Sequence, residues 1–156
     1  MSRRVASLWR HPIKSHGREA LRAVTLEAGR TMPWDRVWAV AHEASTADGS
    51  GWAPCVNFSR VSKAPALMAV TAELDEASET LTLRHPDRPD LVFRPDAEPQ
   101  RLIDWARPLM PADRAASARI VRVPGRGMTD RDFASITICN LSSHRGRMSG
   151  REIDNG

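Results

Sequence analysis

Lys14 and Ser15 stand side by side two residues after Pro12, and Arg36 opens a later apolar run. An ammonium and a hydroxyl in adjacent positions can hold a phosphate or carboxylate through one charge-assisted and one neutral hydrogen bond. The guanidinium fork of Arg36 suits bidentate capture of an oxyanion. Pro12 fixes a turn before the Lys-Ser pair, and His16-Gly17 after it lets backbone approach a ligand closely. Taken alone, the same residues also suit a solvated hairpin turn, and Arg36 an ion pair with Asp35 or Glu43. One contrast singles out Lys14: it and Lys63 are the only lysines in a chain of formal charge +4, whose positive charge is otherwise arginine.

Other chemistry-bearing residues offer less. Cys55 and Cys139 are far apart, which excludes a disulfide framework or a CxxC metal knuckle and fits two reduced thiols. Cys139, between Ile138 and Asn140, reads as a buried structural thiol, whereas Cys55 stands in a looser context. No pair among His11, His16, His42, His85 and His144 has HExxH or facial-triad spacing, so zinc has little support. His85, in His-Pro-Asp, reads as turn chemistry. Gly125-Arg126-Gly127 lacks the spacing of a nucleotide P-loop but could border a ligand cleft.

The elements that must position these residues are mostly strands. Short alternating or β-prone runs occur at 4–9, 19–26, 37–42, 67–74, 80–84 and 91–94, separated by turn residues about every ten positions. Such punctuation predicts a barrel or sandwich, with Leu81 to Phe93 as a hairpin around Pro86-Asp87-Arg88-Pro89. Leu102, Ile103, Trp105, Ala106 and Leu109 mark one helix over 98–110, ended by Pro108 and Pro111. Strands follow at 118–123 and 135–139, then a helix capped by Asn140 or Ser142 and running through Arg145 to Met148.

Composition narrows the setting. At 156 residues, with 41% apolar and 27% charged side chains, the chain has the makings of a packed core. No apolar stretch approaches the roughly 18 residues that span a bilayer, and the basic Met1-Ser2-Arg3-Arg4 start lacks an apolar h-region; a cytoplasmic protein is expected. Arginines alternate with acids, as in Asp130-Arg131-Asp132, instead of forming a stripe, which argues against a nucleic-acid partner.

Taken in order, these motifs resemble the MOSC superfamily, the domains related to the C-terminal part of molybdenum cofactor sulfurases. The resemblance rests on Val5 through Ser15, Gly29 through Val40 with its Asp35-Arg36-Val37-Trp38, Val56 through Arg60, Ala64 through Val70, and Thr129 through Ser143. It implies a mainly β fold with minor α: an N-terminal MOSC-type β-barrel over 1–96, a helix and connecting strand over 97–128, and the start of a MOSC domain over 129–156. It further implies a molybdenum cofactor, an anionic pterin, held by Lys14, Ser15 and Arg36 through its phosphate, with Asn57, Asp132 and Asn140 contributing. Asp130 could replace Asp132, since the register is loose and Ala134 stands where a proline is common.

Family members continue through an arginine-rich segment to a cysteine that supplies the metal or persulfide sulfur. Neither Cys55 nor Cys139 occupies that position, so the chain is expected to be truncated inside its second domain and catalytically incomplete. Sulfur transfer or molybdenum-dependent reduction, with a redox partner protein, is what the resemblance implies for a complete member; pyridoxal phosphate binding belongs to the family's wider associations. The alternative is a non-enzymatic β-barrel binding module.

Overall fold

The structure, a computed structural model, describes residues 3–123, 125–133 and 141–145. Their order is β1 (Arg3–Arg10), β2 (Glu19–Leu21), β3 (Trp38–His42), β4 (Thr71–Asp75), β5 (Thr80–His85), β6 (Arg88–Phe93), α1 (Pro99–Ala106), β7 (Ser117–Arg122) and β8 (Leu141–Arg145). The fold is mainly β with minor α.

β3 is the strand on which two cores meet. Its side chains alternate, so Trp38 and Val40 enter the larger core while Ala39 and Ala41 enter a smaller one with Phe58, Val121 and Met128. A strand buried on both faces must be apolar throughout, which explains the unbroken Trp-Ala-Val-Ala run. β3 pairs antiparallel with β7, Ala39 opposite Val121 and Val40 opposite Ile120.

A second sheet, β4-β5-β6, is an antiparallel meander that buries Ala72, Leu74, Leu81, Leu83, Leu91 and Phe93 on one face. Its hairpin turns at Pro86-Asp87, one residue earlier than the Pro-Asp-Arg-Pro motif alone suggests, because Arg88 already pairs with His85. His85 stabilises the turn as expected, its Nδ1 accepting from the Asp87 amide at 3.0 Å.

The helix forms where predicted but ends sooner. α1 gives way at Arg107 to a 3-10 turn containing Pro108, which has no N–H for the α ladder. Leu102, Trp105 and Ala106 of its buried stripe face the larger core, and Trp105 Nε1 donates to the Pro89 carbonyl at 2.7 Å, docking the helix on β6.

Three expectations need correction. The run at 19–26 is a strand only to Leu21, beyond which nearly every residue is exposed. The run at 67–74 begins as a 3-10 turn over Pro65–Ala69, where Pro65 fixes the entry and Leu67 turns inward. Where the sequence predicts a helix running through Arg145 to Met148, the described residues form β8, which lies antiparallel to β1 with Leu141 opposite Leu8 and Arg3 opposite Arg145. The free edge of β1, whose other edge carries β2, offers backbone partners that outweigh a local cap signal. The strand expected over 135–139, with Cys139, lies outside the described residues.

Among the described residues the three sheets do not close into one continuous ladder. Isolated bridges join their neighbourhoods, among them Ile13 to Trp38 and Arg18 to Thr71. Gly17, at φ +114°, makes the second approach workable: a Cβ there would stand 3.0 Å from that of Ala72. No helix among the described residues is long and apolar enough to cross a membrane.

Candidate functional site

The turn after β1 runs parallel to the entry into β3, and this pairing sets Lys14 near Arg36. The Arg36 amide donates to the His11 carbonyl at 2.6 Å, Trp38 N to Pro12 O at 3.1 Å, and Lys14 N to Trp38 O at 2.8 Å. Two of the expected site residues take unusual backbone conformations to fit: Ser15 has φ +63° and Arg36 φ +52°, and Trp34 joins them at +61°. Left-handed conformations cost non-glycine residues about 1–2 kcal/mol each, so the rest of the fold must hold them there.

A third segment, 127–130, lies against Arg36. The Met128 amide donates to the Arg36 carbonyl at 2.7 Å, and Trp52 Nε1 to the Thr129 carbonyl at 2.9 Å. This strap delivers Asp130 to Lys14, whose ammonium it pairs by hydrogen bond and charge. The two partners differ sharply in exposure: the Lys14 side chain is 5% accessible, that of Asp130 60%. Burial resists ionisation of Asp130, but the hydrogen bond and charge of Lys14, joined by the fields of Arg36 and Arg131, outweigh it and hold the carboxyl below the ordinary aspartate value. Two cations from separate segments thus act on one carboxylate.

Arg36 is itself buried and pairs with Asp35, whose side chain is inaccessible and also accepts the His11 amide at 2.8 Å. Of the readings of Arg36 left open by the sequence, the pair with Asp35 is the one present, and from it the charge of Arg36 also acts on Asp130. His16 is buried beneath the same turn, with Nδ1 2.9 Å from the Lys14 carbonyl oxygen and Nε2 without a partner among the described residues. Burial pushes its imidazole down to about 4, against which the Lys14 carbonyl pulls only weakly, so His16 is neutral near pH 7.

The other expected residues lie elsewhere. Asp132 is exposed and pairs with Arg126 at 3.1 Å; Asp130 is the acid that reaches Lys14. Asn57 belongs to the loop after β3, its Oδ1 accepting from Ser45 Oγ and Thr46 N and its Nδ2 donating to Pro54 O at 3.2 Å. Cys55, in the same loop, accepts a hydrogen bond from Arg60 Nη1 at 2.8 Å. Asn140 lies outside the described residues. Among the described residues no group of three or more His, Cys, Asp or Glu side chains could hold a metal ion.

A cleft of about 770 Å³ is lined by Asp35 and its neighbours between Glu27 and Val37 and by Arg122, Val123, Gly125, Arg126 and Gly127. The Gly125-Arg126-Gly127 loop borders it, as its composition suggested. Trp34 and Val37 give it an apolar wall. Arg122, beside them, is stacked 5.2 Å from the centre of Trp38 and held by Glu79 and Asp96, which keep it above the ordinary arginine range.

The family model of the MOSC N-terminal β-barrel domain matches residues 2–120. The chain belongs to that family. No curated protein and no solved structure matches it. The MOSC N-terminal domain thus covers β1 through most of β7, including Lys14 and Arg36, while Asp130 lies beyond the matched span. The sequence reading assigns Trp34 and Arg122 no place beside the site and takes His16 only as part of the turn, not as a buried side chain beneath it. The signal was present in part: Pro33-Trp34 ahead of Asp35 and His16 ahead of Gly17 are bulky residues at turns, where solvated side chains are the norm.

Proposed function

We propose that Lys14, Ser15 and Arg36 seat the phosphate of a pterin-type molybdenum cofactor. The observation that supports this reading is the pairing of the buried Lys14 ammonium with the carboxylate of Asp130, on which the charge of the buried Arg36 also acts from its own pair with Asp35. A buried ammonium with a second cation close by in the fold is the beginning of the donor set a phosphate monoester needs, and Ser15, next to Lys14 in the turn, would add a neutral donor. On charge, Asp35 already balances Arg36, so a phosphate replacing Asp130 would meet Lys14 as its main counter-charge, with Arg36 adding a weaker field. When bound, the cofactor supplies a redox-active metal and its sulfur chemistry. The chain's own residues bind and orient its phosphate, and the buried turn around His16 keeps water from beneath the seat.

Sulfur transfer or molybdenum-dependent reduction and a redox partner protein belong to the same proposal, supported by the resemblance to the family rather than by the site, and a cytoplasmic setting is proposed with them. The test is affinity for purified cofactor in the Lys14→Ala, Arg36→Ala double variant. A loss of at least tenfold is expected, and wild-type affinity in that variant would remove the assignment. A second reading, a non-catalytic binding module, draws on the pairing of both cations with carboxylates inside the fold; it predicts no cofactor binding by the unaltered chain.

A further inference from the structure

We infer that Asp130 is a built-in plug, a carboxylate that occupies the anion seat and makes it selective for dianions over monocarboxylates. The inference rests on the reading of Lys14 and Arg36 as an anion seat and adds what governs access to it.

The cluster contains two carboxylates with different standing. Asp35 is inaccessible, adjoins Arg36 in sequence and takes a backbone amide from His11, so it is part of the fold. Asp130 comes from 116 residues away in the chain, and its side chain reaches Lys14 from a position that is 60% accessible. Its strap is anchored through backbone at Met128 and Thr129, not through the carboxylate. Rotation of one side chain can therefore clear the Lys14 ammonium and leave the strap in place.

Lys14 cannot stay without a counter-charge at 5% accessibility, because an unpaired buried cation is costly. The seat is therefore filled either by Asp130 or by an incoming anion, and the two compete. A monocarboxylate offers Lys14 no more charge than Asp130 already does, and it loses translational freedom on binding, so exchange is unfavourable. A phosphate dianion loses the same freedom but brings Lys14 twice the charge and more acceptor oxygens, and on that balance its exchange is favoured over that of a monocarboxylate. Removing the carboxylate at 130 should relax this filter.

The experiment titrates inorganic phosphate and acetate into the full chain, its Asp130→Asn and Asp130→Ser variants, and Lys14→Ala, at fixed pH and ionic strength by calorimetry and by ligand-induced shift in Tm. Both position-130 variants should bind phosphate roughly tenfold tighter than the unaltered chain, show a larger phosphate-induced rise in Tm and bind acetate measurably, as expected when a like charge leaves the seat. Phosphate binding no tighter in either variant, with Lys14→Ala still weakened, overturns the plug and leaves the seat standing. Unchanged phosphate binding in Lys14→Ala overturns the seat, and the plug with it.

Discussion

Gly127 faces the carbonyl oxygen of Asp35 so closely that a Cβ at Gly127 would lie 2.5 Å from it. The absent side chain is what allows the 127–130 strap to lie on the Asp35-Arg36 backbone and accept the registry in which Met128 bonds Arg36. Gly127→Ala should therefore lift the strap and separate Asp130 from Lys14. Overpacking of this kind costs about 1–3 kcal/mol, read as a lower Tm. Gly29→Ala is the matched control, since it meets no atom within 4 Å and carries only the strain of φ +76°.

The Lys14–Asp130 pair should respond unequally to loss of either partner. Lys14→Met leaves a carboxylate that is already mostly exposed and can rehydrate, so stability should change by less than about 1 kcal/mol. Asp130→Asn leaves a buried ammonium unmatched and should cost about 1–3 kcal/mol. The double variant should recover most of that loss. Denaturant unfolding of the four proteins measures the coupling, and equal losses in the two single variants would contradict the asymmetry of burial.

His16 makes stability depend on pH in a defined window. Its folded-state value, near 4, lies below the 6.5 of an ordinary histidine, so the unfolded chain binds the proton more tightly. The stability it supports is complete above pH 6.5 and is lost as pH falls toward about 4, by roughly 3 kcal/mol in all. Asp130 adds a separate loss at lower pH, since its depressed carboxyl must be protonated below the usual aspartate value of 3.8 before the pair with Lys14 breaks. Urea midpoints measured from pH 7 to pH 4 should fall in the unaltered chain and stay flatter in His16→Gln.

Asn57 should prove a loop residue. Asn57→Ala removes the acceptor of Ser45 and Thr46 and the donor to Pro54, with an expected cost of about 1–2 kcal/mol. Phosphate affinity should stay within twofold of the unaltered chain. A tenfold loss would show that the loop reaches the seat.

Much of this was legible in the residues. The strand β5 and the helix α1 declare themselves by periodicity, because each buries one face whose spacing matches its own geometry, whereas β3 shows as an unbroken apolar run buried on both faces. Lys14 and Arg36 stood out by type and setting. The choice between Asp130 and Asp132 did not, since alternate positions in Asp-Arg-Asp differ only in which way a strap is anchored, and that anchor is a backbone bond to a residue far upstream. β8 was misread as a helix for a similar reason: Ser142 looks like a cap locally, whereas the deciding partner is the edge of β1. Long-range backbone pairing leaves no mark on a short window of sequence.

The pairing of β1 with β8 has a kinetic corollary. β1, made before every other described strand, finds one of its two neighbours only when nearly all the described chain has been made. Closing so large a loop is entropically late, and contacts of this separation slow folding. During synthesis that flank of β1, next to the Lys14 turn, waits exposed, an invitation to intermolecular strand addition that chaperoning or swift translation would have to forestall.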